Sequence, residues 1–187
     1  MDGNNRFSKK KNISSFDGYQ LGAKKLIDIS NYLFNNTNVE VISAFALSKN
    51  NTKRPKYIIN TIKKVFELFL DNNLKKDFKF SIKFRGDLNF FSKSILEKIF
   101  YIEKLTSKNH KKLNIFLNYS GQFDILNSAI KTSSKKLTKT IFEKNLITGS
   151  IIPPDLLIRT GGYQRLSDFF LYQISFTELF FFKKTMA

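Results

Sequence analysis

Five short apolar runs, most of them set apart by stretches of helical period, constrain this chain more than any other feature. They are Val39 to Leu47, the alternating Phe80, Ile82 and Phe84, Leu113 to Asn118, Leu156 to Ile158, and Glu178 to Phe182. Runs of this length are strands rather than helices. Between them, Leu21 to Phe34 places Leu26, Ile27, Ser30, Leu33 and Phe34 on one helical face, and Lys56 to Leu70 turns Ile59, Ile62, Phe66, Phe69 and Leu70 inward. Further helical material is expected around Ser92 to Leu105 and from Gln122 to Leu146. Strands joined through helices require right-handed crossovers. The expected fold is therefore α/β, a largely parallel central sheet with flanking helices. At 187 residues, with 42% hydrophobic and 15% aromatic side chains, the chain can bury the core of one domain spanning 1–187.

Open α/β sheets bind ligands beyond the C-terminal ends of their strands. Two polar stretches sit there. Ser48 to Pro55 follows the first strand as a loop, and Pro154 to Ser167 is richer in chemistry. In it, Leu156, Leu157 and Ile158 read as a strand covered on both faces. Gly161 and Gly162 let the backbone turn so that its N–H groups can face an anion. Arg159 and Arg165 flank the turn with guanidinium forks that match phosphate geometry, and Ser167 adds a hydroxyl donor. Taken alone, these residues read better as a solvated turn. Asp2 is the sharpest catalytic candidate: beside Gly3 and Asn4 it can hold Mg²⁺ while the turn's N–H groups and Arg6 face a diphosphate. By itself, Asp2 reads as an aspartate capping a turn.

Composition narrows the classes further. There is no cysteine, which excludes disulfides and thiolate metal sites, and the single histidine, His110, excludes any site of several imidazoles. His110 belongs to a solvated loop. The net charge of +17 fits a nucleic-acid binder, an anionic membrane surface or a polyanionic small substrate equally well. Lysine, asparagine, phenylalanine and isoleucine are abundant together, a pattern that coding bias alone produces, so the charge carries little weight. The Lys9 to Lys11 and Lys135-Lys136 runs lack interleaved stacking aromatics and read as solvated faces, so no nucleic-acid partner is expected. No secretory signal precedes the first motif, and the apolar runs fall well short of the ~20 residues that cross a bilayer. A cytoplasmic protein is expected, with peripheral contact at the membrane surface left open.

The string Pro154-Asp-Leu-Leu-Ile-Arg-Thr-Gly-Gly-Tyr-Gln-Arg-Leu-Ser167 closely resembles the signature of the cis-prenyltransferases, the undecaprenyl diphosphate synthase type of isoprenyl diphosphate synthase. Met1-Asp-Gly-Asn-Asn-Arg-Phe-Ser8 resembles the family's opening motif, usually Met-Asp-Gly-Asn-Gly-Arg-Trp-Ala. Ser48 to Pro55, Phe84-Arg-Gly-Asp87, Leu113 to Tyr119 and Glu178-Leu-Phe180 follow in family order. The resemblance implies a Mg²⁺-dependent homodimer around an apolar tunnel, which the Phe-rich Lys56 to Leu70 helix would help to line. It implies successive cis condensation of isopentenyl diphosphate onto an allylic starter such as farnesyl diphosphate, giving a long-chain polyprenyl diphosphate of the cell-wall lipid-carrier kind. Carried over residue by residue, Asp2 becomes the essential acid of the allylic site. Gly3, Asn4, Asn5 and Arg6 would hold the allylic diphosphate, and Arg159, Arg165 and Ser167 the isopentenyl diphosphate. Ser48 and Arg54 join the substrate-binding set. Asn51 matches the loop asparagine of the proton-removal step, although a neutral amide is a poor base and orientation is the alternative role. Glu178 matches a second Mg²⁺-associated carboxylate, against a plain charged strand start.

Several positions depart from the pattern. Phe7 and Thr52 stand where tryptophans are usual, Tyr19 where a histidine is usual, and Ser15 where an arginine commonly contacts the allylic diphosphate. A glutamate usual after the Arg-Pro pair is absent, with Ile58 near its place. Losing the arginine and histidine removes a phosphate donor and a proton carrier while leaving the implied substrate class unchanged. No Asp-Asp-x-x-Asp cluster occurs, which counts against the trans-prenyltransferases. Family members carry an apolar strand before the opening motif and a tail with an Arg-x-Gly motif after the last strand. The expectation is a chain lacking both, less active and less stable than a form extended upstream. A non-catalytic partner subunit is the alternative reading, but such homologues tend to lose the Met-Asp-Gly-Asn block and keep the tail, the reverse of this chain. A basic RNA-binding domain is third.

Overall fold

Hydroxyl side chains start most of the helices. Ser14, Ser92, Ser120 and Thr138 each accept a hydrogen bond from the backbone N–H three residues on, satisfying a donor that the first turn leaves unpaired. The computed structural model describes residues 3–133 and 138–186, so Asp2 and Lys135-Lys136 lie outside the described residues. In chain order the elements are α1 (Asn4–Lys11), α2 (Ser15–Asn36), β1 (Val41–Phe45), α3 (Lys56–Asn73), β2 (Ser81–Arg85), α4 (Lys93–Leu105), β3 (Lys112–Phe116), α5 (Gly121–Thr132), α6 (Lys139–Asn145), β4 (Leu156–Arg159) and β5 (Glu178–Phe181). Short 3₁₀ turns occupy Lys49–Lys53 and Leu88–Phe90.

Two of these differ from the sequence reading. The opening motif is a helix, α1, where a turn was expected. The second helix begins at Ser15, well before the apolar stripe starts, because its first turns pack on α1 through glycines rather than large side chains. A Cβ at Gly18 would overlap Ser8 Oγ and lie 3.1 Å from Asn4 O, and one at Gly22 would overlap the Asn4 amide. The absent side chains are what let the two helices touch, and hydropathy periodicity cannot register them.

All strand pairing is parallel, as the crossovers require, but among the described residues it forms two sheets. One has the order β1-β3-β2, with Ala44 and Phe84 both level with Ile115. The other pairs β4 with β5, setting Leu156 beside Glu178 and Arg159 beside Phe181. The main core fills the space between α2, α3, α4 and the first sheet, around Leu70, Ile82 and Leu113, which are fully buried. Phe66 of α3 lies edge-on to Phe84 at 5.6 Å and close to Phe91 at 4.9 Å, so the phenylalanine stripe of this helix packs as core. A second cluster of Phe116, Tyr119, Phe169 and Phe170 joins the two sheets, and Phe45 at the end of β1 stacks on Phe169 at 4.6 Å.

The expectation of a strand covered on both faces fails at β4. Leu157 packs against the aromatic cluster, whereas Leu156 and Ile158 are 53% and 60% exposed. An unbroken apolar run shows that neither face prefers water, not that each has a protein layer over it.

Candidate active site

The C-terminal ends of β1, β2 and β3 are stitched into one rim. Ser48 caps the 3₁₀ turn after β1, its Oγ accepting from Asn51 N at 3.2 Å, and Thr52 Oγ1 donates to Lys49 O at 2.6 Å. Lys49 N donates to Tyr119 O at 2.8 Å, and its Nζ reaches Asp87, after β2, at 3.2 Å. Asn118 Nδ2 donates to Asp87 O at 3.0 Å, which closes the rim across β3. Ser48 and Thr52 thus spend their hydroxyls on the turn that presents Asn51. On the flank, Arg54 donates to the Tyr19 hydroxyl at 3.4 Å, and Ser15 Oγ donates to Asn5 Oδ1 at 3.1 Å. The candidates of the opening motif and of the Ser48 loop therefore meet across the start of α2.

The central stretch lies beyond the end of β4. Arg159 Nη1 donates to Ser167 Oγ at 2.7 Å and to Arg165 O, so one guanidinium braces the whole turn. Arg6, from the first turn of α1, comes to the same place: its guanidinium carbon is 4.6 Å from the centre of the Tyr163 ring, and that of Arg165 is 4.4 Å from it. Gly3 caps α1 in a left-handed conformation (φ 92°) and presses on Thr185, where a Cβ would come within 2.9 Å of Thr185 Cβ. The start of α1 is thereby seated against the segment that follows β5. An eight-residue helix N-terminus with Arg6 in its first turn offers backbone donors to an anion.

Two expectations need correction. Gly161 and Gly162 do not turn their N–H groups toward a ligand: they donate to Lys184 O at 2.7 Å and Phe182 O at 2.9 Å, prolonging the β4–β5 ladder. Their carbonyl partners lie some twenty residues on, beyond any local pattern. The Asn4 side chain is buried between α1 and α2 against Gly22, its Oδ1 without a hydrogen-bond partner, so only its backbone faces the site. Phe7 is half-buried on α1. Glu178 starts β5 level with Leu156, three residues before the level of Arg159, which strand geometry makes about 10 Å away. The structure does not bring it to the arginines. Among the described residues no group of three or more His, Cys, Asp or Glu could hold a metal. With Asp2 outside the described residues, they form no Mg²⁺ donor set.

Sequence reasoning passed over Tyr163 and the carboxylates Asp124 and Asp168. Tyr163 was legible as an aromatic bracketed by Gly162 and Arg165. Asp168 accepts from Gln122 N at 2.9 Å, and its carbonyl accepts from Gly121 N at 2.8 Å, fastening the N-terminus of α5 to the central stretch. Asp124, 1% exposed, accepts from Ile147 N at 2.7 Å, Thr148 Oγ1 at 3.1 Å and the Tyr119 hydroxyl at 3.2 Å. Burial raises its pKa above the usual carboxylate value, opposed by those hydrogen bonds, and burial beside Asp124 raises that of Tyr119. These groups hold the loop before β4 in place.

The Prenyltransf family model, which describes undecaprenyl diphosphate synthases, matches residues 1–186. The chain belongs to the cis-prenyltransferase family. It is 37% identical over 193 residues to the farnesyl-diphosphate-specific ditrans,polycis-undecaprenyl-diphosphate synthase of Haemophilus influenzae, covering 97% of this chain and 80% of the relative. It is 35% identical to dehydrodolichyl diphosphate synthase 4 of Arabidopsis thaliana, with 97% and 67% covered. Among solved structures, lavandulyl diphosphate synthase from Lavandula x intermedia in complex with dimethylallyl diphosphate superimposes with a TM-score of 0.89 at 27% identity, over 100% of this chain and 85% of that one. This cis-prenyltransferase therefore carries the family's α/β fold, and the sequence relatives named above are undecaprenyl and dehydrodolichyl diphosphate synthases.

Proposed function

We propose that this cis-prenyltransferase condenses isopentenyl diphosphate with an allylic diphosphate such as farnesyl diphosphate, extending it by cis units to a long-chain polyprenyl diphosphate. The observation that carries the reading is that Arg6 and Arg165 both lie against the Tyr163 ring. It joins the two ends of the chain in one cationic site beyond the strand ends. Bond formation at the allylic carbon releases diphosphate, so negative charge develops there, and preset guanidinium donors stabilise it more than they stabilise the ground state. In this reading Arg6 and the N–H groups at the start of α1 hold the allylic diphosphate. Arg159, Arg165 and Ser167 hold that of isopentenyl diphosphate, with Asn51 orienting the group that loses a proton. Mg²⁺, if bound by Asp2, supplies further charge for the departing diphosphate. The reaction is placed in the cytoplasm against the membrane surface, where a lipid product accumulates.

Incubating the purified chain with Mg²⁺, labelled isopentenyl diphosphate and farnesyl diphosphate is expected to give a labelled long lipid. Absence of any product from a folded chain would point to a non-catalytic partner subunit instead.

Homodimerisation is proposed on the same footing. Leu156, Ile158, Phe180 and Phe182 lie along one face of the β4–β5 pair, and each is at least 43% exposed. Phe180 and Phe182 rings lie 6.0 Å apart. A contiguous apolar face of this kind is suited to a second copy. Light scattering is expected to report about twice the 21.8 kDa chain mass. Phe180→Asp should return it to one chain mass, and a wild-type monomer at micromolar concentration would exclude the proposal.

A further inference from the structure

At the end of β2, the outer strand of the first sheet, a cavity of about 350 Å³ is bordered by Arg85, by Lys131 in the last turn of α5, by Lys144 in the last turn of α6 and by Ser150 in the loop before β4. The volume suits a small ligand. Arg6, Arg159 and Arg165 do not border it, and neither does any carboxylate. Among the described residues, Lys131 and Lys144 have no acidic partner. Lysines at helix ends are ordinary, because they answer the partial negative charge of the last carbonyls. Arg85 has no such explanation. Its Nη2 reaches Ser150 Oγ only at 3.4 Å, and its Nε, withdrawn from solvent, has no acceptor among the described residues. Lys83, two residues earlier on the same strand, is by contrast paired with Glu103 at 3.4 Å. Leaving a donor of a charged group unsatisfied away from water is costly. Three positive charges border the cavity, and the ends of α5 and α6 offset about half a charge each, which leaves roughly +2. A phosphate monoester carries about −1.5 to −2 at pH 7, with three acceptor oxygens, whereas a monocarboxylate would balance only half of the charge.

We infer that this cavity is a second anion site, for a small ligand bearing a phosphate monoester, with Arg85 as its fork, Lys131 and Lys144 as its neutralising charges and Ser150 as a hydroxyl donor. It does not depend on the proposed diphosphate site. The Nε and Nη groups of one guanidinium present parallel N–H bonds that match two oxygens of a phosphate. An oxygen held at Nε satisfies the donor for which the chain itself supplies no acceptor. The phosphate of a free small molecule and that of a lipid headgroup share this chemistry.

The test follows the arginine Nε–H signals of the full, ¹⁵N-labelled chain by NMR while inorganic phosphate is added, with ionic strength held constant by sodium chloride. Arg85→Lys identifies the Arg85 signal by its loss. That signal is expected to shift saturably. The dissociation constant read from it should rise about tenfold or more when Lys131→Ala is combined with Lys144→Ala, two exposed positions at which the change leaves the fold intact. Arg165→Ala should leave the constant unaltered, which separates this cavity from the diphosphate site. A shift that does not saturate, a constant indifferent to the two lysines, or one that Arg165→Ala raises as much as they do would overturn the inference. Vesicles of phosphatidylcholine with added phosphatidic acid then distinguish the sources. Flotation of the chain with them that Arg85→Met abolishes assigns the phosphate to a lipid headgroup, and saturation by inorganic phosphate without Arg85-dependent flotation assigns it to a free ligand.

Discussion

Arg159→Ala is expected to lower kcat/KM for isopentenyl diphosphate by about a hundredfold or more, the largest kinetic effect of any single arginine change here. Two losses add. The fork proposed to meet the diphosphate disappears, and so do the bonds from Nη1 to Ser167 Oγ and Arg165 O that brace the turn carrying the other proposed donors. Hydrogen bonds to a charged group contribute about 1.5–3 kcal/mol each, and every 1.4 kcal/mol is a factor of ten, so losing even two of them reaches the stated size. Arg165→Ala, which removes a donor but leaves the brace, should raise KM with a smaller fall in kcat. Lysine at 159 should rescue only part of the activity, because one ammonium cannot reach the hydroxyl, the carbonyl and a phosphate in the plane of a fork. Steady-state kinetics at varied isopentenyl diphosphate, with farnesyl diphosphate saturating, makes the measurement. An Arg159→Ala enzyme within about threefold of the unaltered one would remove this residue from the site.

Gly86→Ala should cause the largest loss of stability, at least about 3 kcal/mol, corresponding to a fall in melting temperature of roughly 6–12 °C for a chain of this size. The position combines two obstacles. Its φ of 122° is one that residues with a Cβ rarely adopt, and the added Cβ would overlap Leu117 O and lie 2.9 Å from Leu117 C. What blocks it is the backbone of β3's continuation, which cannot swing aside as a side chain would. The strain would also be felt at the rim, because the next residue, Asp87, ties Lys49 and Asn118 together. The variant should therefore turn over more slowly even when folded. Calorimetry of both proteins in one buffer decides the point, and a melting temperature within about 2 °C of the unaltered chain would show that the strand ends give way more readily than the packing indicates.

Much of the site was legible in the sequence because its pieces are local. Arg6, Arg159, Arg165 and Ser167 stand in ordered motifs, and the motif order alone pointed to the family that the comparisons then showed. Ser48 and Asn51 were legible as a loop at a strand end, although the hydroxyl of Ser48 turns out to cap that loop. Other residues were misread because their partners are remote. Nothing within a few residues of Gly161 shows that Lys184 O takes its N–H, and nothing near Asn4 shows that Gly22 makes room for its side chain.

By itself, the sequence determined the five strands and the main helices between them, that the strands run parallel, and which family the chain belongs to, while α1 and the first turns of α2 escaped it. Periodicity is a property of neighbouring residues, and helical crossovers leave a parallel sheet as the arrangement that covers the apolar faces. Only the tertiary structure decided which faces are covered and which donors are free. It left Leu156 and Ile158 of β4 open, spent the glycine N–H groups on the β4–β5 ladder, and set Glu178 at the far end of its strand from the arginines. It also brought α1 to Tyr163. The reason is that exposure and hydrogen-bond pairing depend on what packs against a segment from elsewhere in the chain, and residue type and spacing within the segment do not contain that information.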